Sequence, residues 1–224
     1  LVFMKDFTFQ EVLFEFEILD STNLEAIRKI ESLEGGLCFA VTARAQTEGR
    51  GRLARKWESP HAGNIYMTLA LEEKLLPFEL GKILPLYTAF SLIQAINSDL
   101  VKYKWPNDLM IEGKKFSGVL CQKYKGFYIV GIGVNVVSSP DYGAYLGGYN
   151  LDLTPMNIFD SFKENLDFSP EYVINFLSKK FFKQYEIEVN KGEFKGDFAG
   201  ITEEGNLILR SSGKDGIIKY GDVS

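Results

Sequence analysis

The stretch "KYKWPNDLMIEGKKFSGVLCQKYKGFYIVGIGVNVV", residues 102–137, decides the fold class. Its apolar runs are short and break near Gly113 and Gly126, the residue type that tight turns demand, so it reads as a meander of strands. Connections this brief make neighbouring strands antiparallel, because a parallel pair needs a crossover of a dozen residues or more. Just upstream, residues 79–99 are helical in pattern, with Pro85 expected near the true helix start or at a kink. Downstream, residues 138–154 are rich in Ser, Pro, Gly, Tyr and Asp and read as a loop. Helix returns in "NIFDSFKENL" (157–166) and "SPEYVINFLSKKFFKQY" (169–185), the latter with Ser169 as cap and Pro170 in the first position.

Toward the N terminus, "VLFEFEIL" (12–19) alternates apolar and charged side chains in its middle, the period of a half-buried strand. In the following "DSTNLEAIRKIES" (20–32), Thr22 and Glu25 have the spacing of a capping box, and Leu24, Ile27 and Ile30 form a helical stripe. "LCFAVTAR" (37–44) and "NIYMTLAL" (64–71) read as strands on either side of a basic loop. The residues from 185 onward hold many glycines and short strand-like runs without a helical stripe. The expected organisation is a main domain over residues 1–184 and a small β domain over 185–224.

With 46% hydrophobic residues in 224, the chain can bury a sizeable core. Its longest apolar runs are far too short to span a bilayer, and "LVFMKDFTFQ" lacks the basic start and cleavable apolar core of a signal peptide, so a cytoplasmic protein with no membrane partner is expected. Cys38 and Cys121 each lie in an apolar strand-like run, as reduced thiols packed like small hydrophobes do. Two cysteines and a single histidine cannot assemble a His/Cys metal cluster. A net charge of -5 argues against a general nucleic-acid binder, which needs a broad basic face.

Against that acidic background "EGRGRLARKW" (48–57) stands out. From Arg44 to Lys56 five cations face one acid, Glu48. "GRGRLA" formally fits the dinucleotide fingerprint G-x-G-x-x-A, but Pro60, His61 and Gly63 interrupt the helix such a turn must open, and strand–helix–strand alternation is missing. "GIGVNV" from Gly131 has Val136 where a third glycine should stand. A solvated charged loop is the plain reading of a basic stretch. Here the glycines let the backbone curl round a ligand, Arg50, Arg52 and Arg55 offer forked donors to anionic oxygens, and Trp57 offers a stacking surface, which together favour binding of a small anion. In "KWPND" (104–108), Pro106 stiffens the chain and biases Trp105 to an extended conformation, which holds Lys104 on a strand. Two readings of Lys104 stand on the residues alone: a point charge presented from an apolar wall, or an edge lysine that blocks strand aggregation.

The ordered set "STN" (21–23), "GRGR" with Arg55 and Trp57, "KWPND" with Lys115 seven residues after Asp108, "GIGVNV" and a terminal "AGITEEGNLIL" closely resembles the biotin protein ligases, from Ser21 to the C-terminus. The resemblance implies an α+β fold, a mixed and largely antiparallel sheet backed by helices, followed by an SH3-like β barrel. It implies that biotin and MgATP are substrates, with no permanently bound cofactor, and that they give biotinyl-5'-adenylate and pyrophosphate. A lysine of a carboxylase's biotin carboxyl carrier domain then takes the biotinyl group. No enzyme nucleophile is required, in keeping with a sequence that shows no Ser/His/Asp or Cys/His constellation.

By resemblance, Ser21, Thr22, Asn23 and Gln46 hold or line the biotin head, and Gly118 and Gly131 give backbone room. Arg50 and Arg52 order the loop over the adenylate, and Arg55 and Trp57 serve the phosphates and the adenine. Lys104 contacts the biotin carboxyl and the α-phosphate, while Asn107, Lys115 and Asn135 lie on the nucleotide side. The metal ligands are not assigned. For the transfer step the sequence offers only His61 and Asp108 as bases, neither convincing. The basic loop is expected to order on adenylate binding. Family members with a DNA-reading domain carry it at the N-terminus, and only eleven residues precede the first strand here, so no nucleic-acid partner is expected. A homodimer is expected through an exposed sheet edge in the Lys115–Val136 meander. The nearest rival is a lipoate or octanoate ligase, against which the GRGRxxRxW pattern speaks; a non-catalytic nucleotide-binding module is the rival of another class.

Overall fold

The computed structural model describes residues 12–32, 38–59, 63–76, 78–182, 187–189, 194–219 and 221. Strand β1 (Val12–Leu19) leads through helix α1 (Thr22–Ser32) to β2 (Phe39–Gln46), which pairs with β1 in parallel, as a helical crossover requires. β3 (Ile65–Glu72) follows antiparallel to β2. Helix α2 (Phe78–Lys82) then breaks at Ile83, and α3 (Leu84–Ile96) starts with Pro85 in its first turn and stops at Asn97, whose left-handed backbone caps it. Pro85 therefore marks a true helix start.

The meander follows as expected. β4 (Lys102–Lys104), β5 (Asp108–Ile111), β6 (Lys114–Tyr124) and β7 (Phe127–Val134) are joined by tight connections, and Gly113 and Gly126 turn two of them at φ of +77° and +80°. The strands assemble in the order β1-β2-β3-β7-β6-β5-β4. β7 thus docks against β3, with Ile65 opposite Val134 and Glu72 opposite Phe127. β7 lies inside the sheet between β3 and β6, whereas β6 pairs with β5 only over residues 114–118, so within the expected Lys115–Val136 edge the 120–124 half of β6 has a strand neighbour on one side alone among the described residues. The outermost strands of the sheet are β1 and β4. β4 is covered in part by the chain after α5, since Tyr103 N–H donates to Lys180 O at 2.8 Å and Phe182 N–H to Tyr103 O at 2.7 Å.

Period two divides the sheet into two faces. On one, Phe39, Val41, Ala70 and Ile129 pack against Ala26 of α1. On the other, Met67, Leu69, Val130, Ile132 and Val134 meet α3, α4 (Pro155–Glu164) and α5 (Pro170–Lys179) in the main core. Ser169 caps α5 by accepting from Tyr172 N–H, with Pro170 behind it as expected, and α4 starts directly after the anticipated 138–154 loop, at a capping box of Thr154 and Asn157.

Strands β8 (Ile187–Val189), β9 (Phe194–Ile201), β10 (Leu207–Ser211) and β11 (Lys214–Ile218) form a separate four-stranded sheet in the order β11-β10-β9-β8. The expected boundary at residues 184 and 185 lies outside the described residues. This sheet is hooked to the main one by the buried indole of Trp105, whose Nε1 donates to Gly205 O at 2.9 Å. Gly205 in turn sits against Ile83 and Leu86.

Phe90 of α3 is fully buried and meets Phe168, Tyr172 and Phe176 edge-on, with ring centroids 5.4, 6.0 and 5.0 Å away. Phe90→Ala should cost about 3–5 kcal/mol in denaturant unfolding, the usual loss for emptying an aromatic core site. Because the opposite face of the sheet carries the cavity described below, the folded fraction should keep its ligand affinities, which calorimetric titration would check.

Candidate functional site

The cavity of about 310 Å³ on the α1 face of the sheet is built from four pieces: the start of α1, the end of β2, the basic loop, and the glycine-bearing parts of β6 and β7. At the start of α1 the donors are fixed by Gln46 rather than by a capping box. Thr22 is the first helical residue; its backbone N–H and its hydroxyl both donate to Gln46 Oε1, at 2.8 and 3.1 Å. Gln46 is held in turn because its amide donates to Ser59 Oγ at 2.9 Å. The Thr68 hydroxyl, from β3, donates to Asn23 Oδ1 at 2.7 Å, which leaves Asn23 Nδ2 as a buried donor with no partner among the described residues. Beside this helix start, Arg28 pairs with Asp20 and holds its carboxyl below the usual carboxylate range, so Asp20 is charged but already engaged.

The trough itself exists because side chains are missing. The α1 face of β7 reads Ile129, Gly131, Gly133, and Gly118 lies opposite Gly133 on β6. A Cβ on Gly131 would come within 2.4 Å of Asn23 Oδ1, and one on Gly133 within 2.4 Å of the Trp57 indole. Both glycines are therefore required by close approach of a neighbour. Trp57 lies across this bare patch, and Lys115 Nζ sits 5.2 Å from its ring centroid in a cation–π contact.

The basic loop is a hairpin. Trp57 N–H donates to Gly49 O at 2.9 Å, Gly51 N–H to Arg55 O at 2.8 Å, and a single turn over Arg52–Ala54 forms the tip, where Leu53 and Ala54 adopt φ of +54° and +58°. Its inner side brings Arg50, Arg52, Arg55 and Lys56 to the cavity. Arg52 is anchored across the trough by Nη1 donating to Asn107 Oδ1 at 2.9 Å, and Asn107 is fixed by its own amide donating to Val119 O at 2.7 Å. Lys115 pairs with Asp108 at 2.7 Å. Around one space the chain thus collects five cations, Arg50, Arg52, Arg55, Lys56 and Lys115, against the carboxylate of Asp108.

Of the residues expected at the site, Ser21, Thr22, Asn23, Gln46, Arg50, Arg52, Arg55, Trp57, Asn107, Lys115, Gly118 and Gly131 all line this cavity. Asn135 does not; it lines a smaller adjoining hollow with Lys56, Trp57 and Lys115. Lys104 is not among the lining residues of either. It stands opposite Asp108 on β4, the outermost strand at that end, while Asp108 forms the cavity wall one strand further in. His61 lies outside the described residues. Gly133 and Tyr142 also line the cavity. Gly133 was accessible from the sequence, being two residues from Gly131 and so on the same strand face; Tyr142 sits in a Pro/Gly loop that carries no periodic signal. Burial pushes the thiols of Cys38 and Cys121 up to about 11 and about 12, so neither is a thiolate nucleophile at neutral pH.

The model of the biotin/lipoate A/B protein ligase family matches residues 15–137. The biotin–(acetyl-CoA-carboxylase) ligase of Paracoccus denitrificans is 30% identical over 91% of this chain and 96% of its own length. The bifunctional ligase/repressor BirA of Escherichia coli is 27% identical over 90% of this chain and 69% of its own length. Among solved structures, biotin protein ligase from Aquifex aeolicus in complex with biotin and ATP superposes with a TM-score of 0.76 at 27% identity, covering 95% of this chain and 97% of that one. Biotin acetyl coenzyme A carboxylase synthetase from Helicobacter pylori with bound biotinylated ATP gives a TM-score of 0.69 at 25% identity, covering 92% and 99%. With the matched segment carrying the helix start, the basic loop and the glycine-faced strands alike, the chain belongs to the biotin/lipoate A/B protein ligase family.

Proposed function

We infer that this chain is an ATP-dependent biotin protein ligase. The observation that carries the reading is the convergence of five cations on a cavity whose other end is neutral and rich in hydrogen-bonding groups. Biotin has that same polarity, with a neutral ureido head and a carboxylate tail. Ser21, Thr22, Asn23 and Gln46 receive the head, and the orphaned Asn23 amide supplies a donor for its carbonyl. Gly118 and Gly131 leave the room for its rings.

The tail must then meet an α-phosphate. Two like charges about 4 Å apart repel by ~4 kcal/mol at the effective dielectric of a protein surface, roughly a thousandfold in rate if left uncompensated. Arg50, Arg52 and Lys115 offset that repulsion while a carboxylate oxygen attacks the α-phosphorus, the bond to the β-phosphate oxygen breaks, and pyrophosphate leaves. Arg55 and Lys56 face the departing phosphates, Trp57 faces the adenine, and Asn107 holds Arg52. Magnesium arrives with the triphosphate as part of the substrate. No group of three or more His, Cys, Asp or Glu among the described residues could hold it alone. In the second step the amine of a carrier lysine attacks the acyl carbon, AMP leaves, and the amine proton is lost; Asp108 is the carboxylate in reach. The carrier is a biotin carboxyl carrier domain of acetyl-CoA carboxylase or a related carboxylase.

The charge-stabilising role implied for Lys104 falls to Lys115, whose ammonium is in the cavity. The C-terminal sheet is read as an SH3-like barrel, and a homodimer formed edge to edge uses the 120–124 half of β6, within the expected Lys115–Val136 edge. The basic hairpin, with Leu53 exposed at its tip, is the element that tightens on the adenylate. Protease cleavage after Arg50 and Arg52 should slow on addition of biotin and MgATP.

The decisive test is the intact mass of an apo carrier domain after incubation with this protein, MgATP and equimolar biotin, lipoate and octanoate. A biotin-sized increment supports the reading, while a lipoyl or octanoyl increment moves the protein to the sister activity. Lys115→Ala should slow biotin-dependent pyrophosphate release by about 100-fold or more, as loss of a charge-stabilising donor typically does, and Lys104→Ala by far less. The reverse order would return the role to Lys104. Gly133→Ala should force the Trp57 ring aside and weaken ATP binding well beyond any effect on biotin, a split measurable by calorimetric titration with each ligand.

A further inference from the structure

Outside the cavity, one side chain is committed wholly to a segment far away in sequence. Asn64 Oδ1 accepts the backbone N–H groups of Val136, Val137 and Ser138 at 2.9, 3.0 and 3.3 Å. Its amide nitrogen donates to Ser138 O at 3.0 Å and reaches Ser138 Oγ at 3.4 Å. An amide can do little more, since both lone pairs and both protons are engaged. The neighbouring Gly63 confirms how closely the two segments meet: a Cβ there would lie 2.7 Å from Val137 Cγ2.

The gripped residues begin immediately after Asn135 and open the loop that carries Tyr142 to the cavity. The far end of that loop is tied separately. Asn135 Nδ2 donates to Ala144 O at 3.2 Å, and Ala144 N–H donates to Lys115 O at 2.9 Å. Between the two ties Tyr142 stands beside Lys56, Trp57 and Lys115, and its hydroxyl reaches Glu58 Oε1 at 3.3 Å. Asn64 itself sits where β3 begins, on the rigid sheet, and is not among the residues lining this cavity.

We propose that Asn64 is a positioning residue for adenylation: by fixing the path of residues 136–138 it sets Tyr142 against the nucleotide end of the cavity and Asn135 in the hollow that adjoins it. The proposal rests on reading that cavity as the joint biotin and ATP site. The biotin end is built on α1 and Gln46, which Asn64 does not touch, so loss of the grip acts on one substrate and not on the other. A staple that served folding alone would lower stability and leave the balance between the two substrates unmoved.

The experiment is steady-state pyrophosphate release by the unaltered protein and by Asn64→Ala and Asn64→Asp, with KM taken separately for ATP and biotin. Asn64→Ala should raise the KM for ATP about tenfold or more, the scale of a small misplacement of binding groups, while the KM for biotin stays within about twofold. Asn64→Asp keeps an oxygen for the three N–H groups and should recover most of the loss. If Asn64→Ala does not fold, Asn64→Gln takes its place, because one extra methylene displaces the acceptor and predicts the same split. Equal changes in both KM values, or none, would overturn the proposal. Absence of biotin-dependent pyrophosphate release from the unaltered protein would overturn the reading of the cavity and the proposal together.

Discussion

The face of the sheet that carries α1 has to satisfy two opposed demands, and the rest of the site depends on how it does so. Along β7 it must first be filled, because Ile129 with Phe39, Val41 and Ala70 forms the apolar bed on which Ala26 packs. Two and four residues further on it must be bare, because Gly131 and Gly133 leave the space into which Asn23 and Trp57 lean. The same strand thus anchors the helix and opens the trough beyond it. The other face of β7 is filled throughout, with Val130, Ile132 and Val134 all in the main core. Removing side chains from one face therefore costs the strand little of its packing.

A trough alone binds nothing in particular; the charge pattern gives it direction. At its neutral end Gln46 accepts from Thr22 and donates to Ser59, and the buried Asn23 amide is left as a donor with no partner among the described residues. The cationic end draws on separate parts of the chain, Arg50 to Lys56 from the hairpin and Lys115 from β6. A group of like charges costs free energy when no anion is present. The structure limits that cost by placing Arg52 against Asn107, Lys115 against Asp108 and the Trp57 ring, and the hairpin tip in solvent. These contacts are weak enough to exchange for phosphate oxygens and strong enough to keep the donors in place.

Much of this was legible in the sequence, and the losses have a common cause. The strand at Val12–Leu19, the turns at Gly113 and Gly126, the helix starts at Pro85 and Ser169, and the basic loop are local features whose residue types state their geometry. The order of strands is not local. Nothing within "FYIVGIGV" says that β7 slots beside β3, so of the Lys115–Val136 region read as an edge only the 120–124 half of β6 keeps an open side among the described residues. The place of Lys104 depends likewise on distant pairing: Pro106 follows it closely at the end of β4, the outermost strand, while the lysines that line the cavity are Lys56 of the hairpin and Lys115 of β6. Thr22 shows the limit of a local signature: its spacing to Glu25 suggests a capping box, yet a glutamine on a neighbouring strand competes for its donors and takes them.

The C-terminal sheet enters the site by the same logic of distant support. Trp105 lies between Lys104 and the turn that carries Asn107, and its indole is fixed by Gly205 of the β9–β10 turn. Arg52 reaches both Asn107 and the carbonyl of Gly221, at 2.9 and 3.2 Å. A single arginine on the hairpin is therefore positioned from two sides, by a turn of the main sheet that is itself braced from the C-terminal sheet and by the chain beyond β11. Precision at the reacting end is supplied by elements that never touch a substrate. An anhydride formed between a carboxylate and a phosphate hydrolyses readily in water, so the donors around it must be placed before it forms and must hold until the carrier lysine arrives. Bracing from both sheets supplies that rigidity at Arg52, while its neighbour Leu53 stands exposed at the hairpin tip.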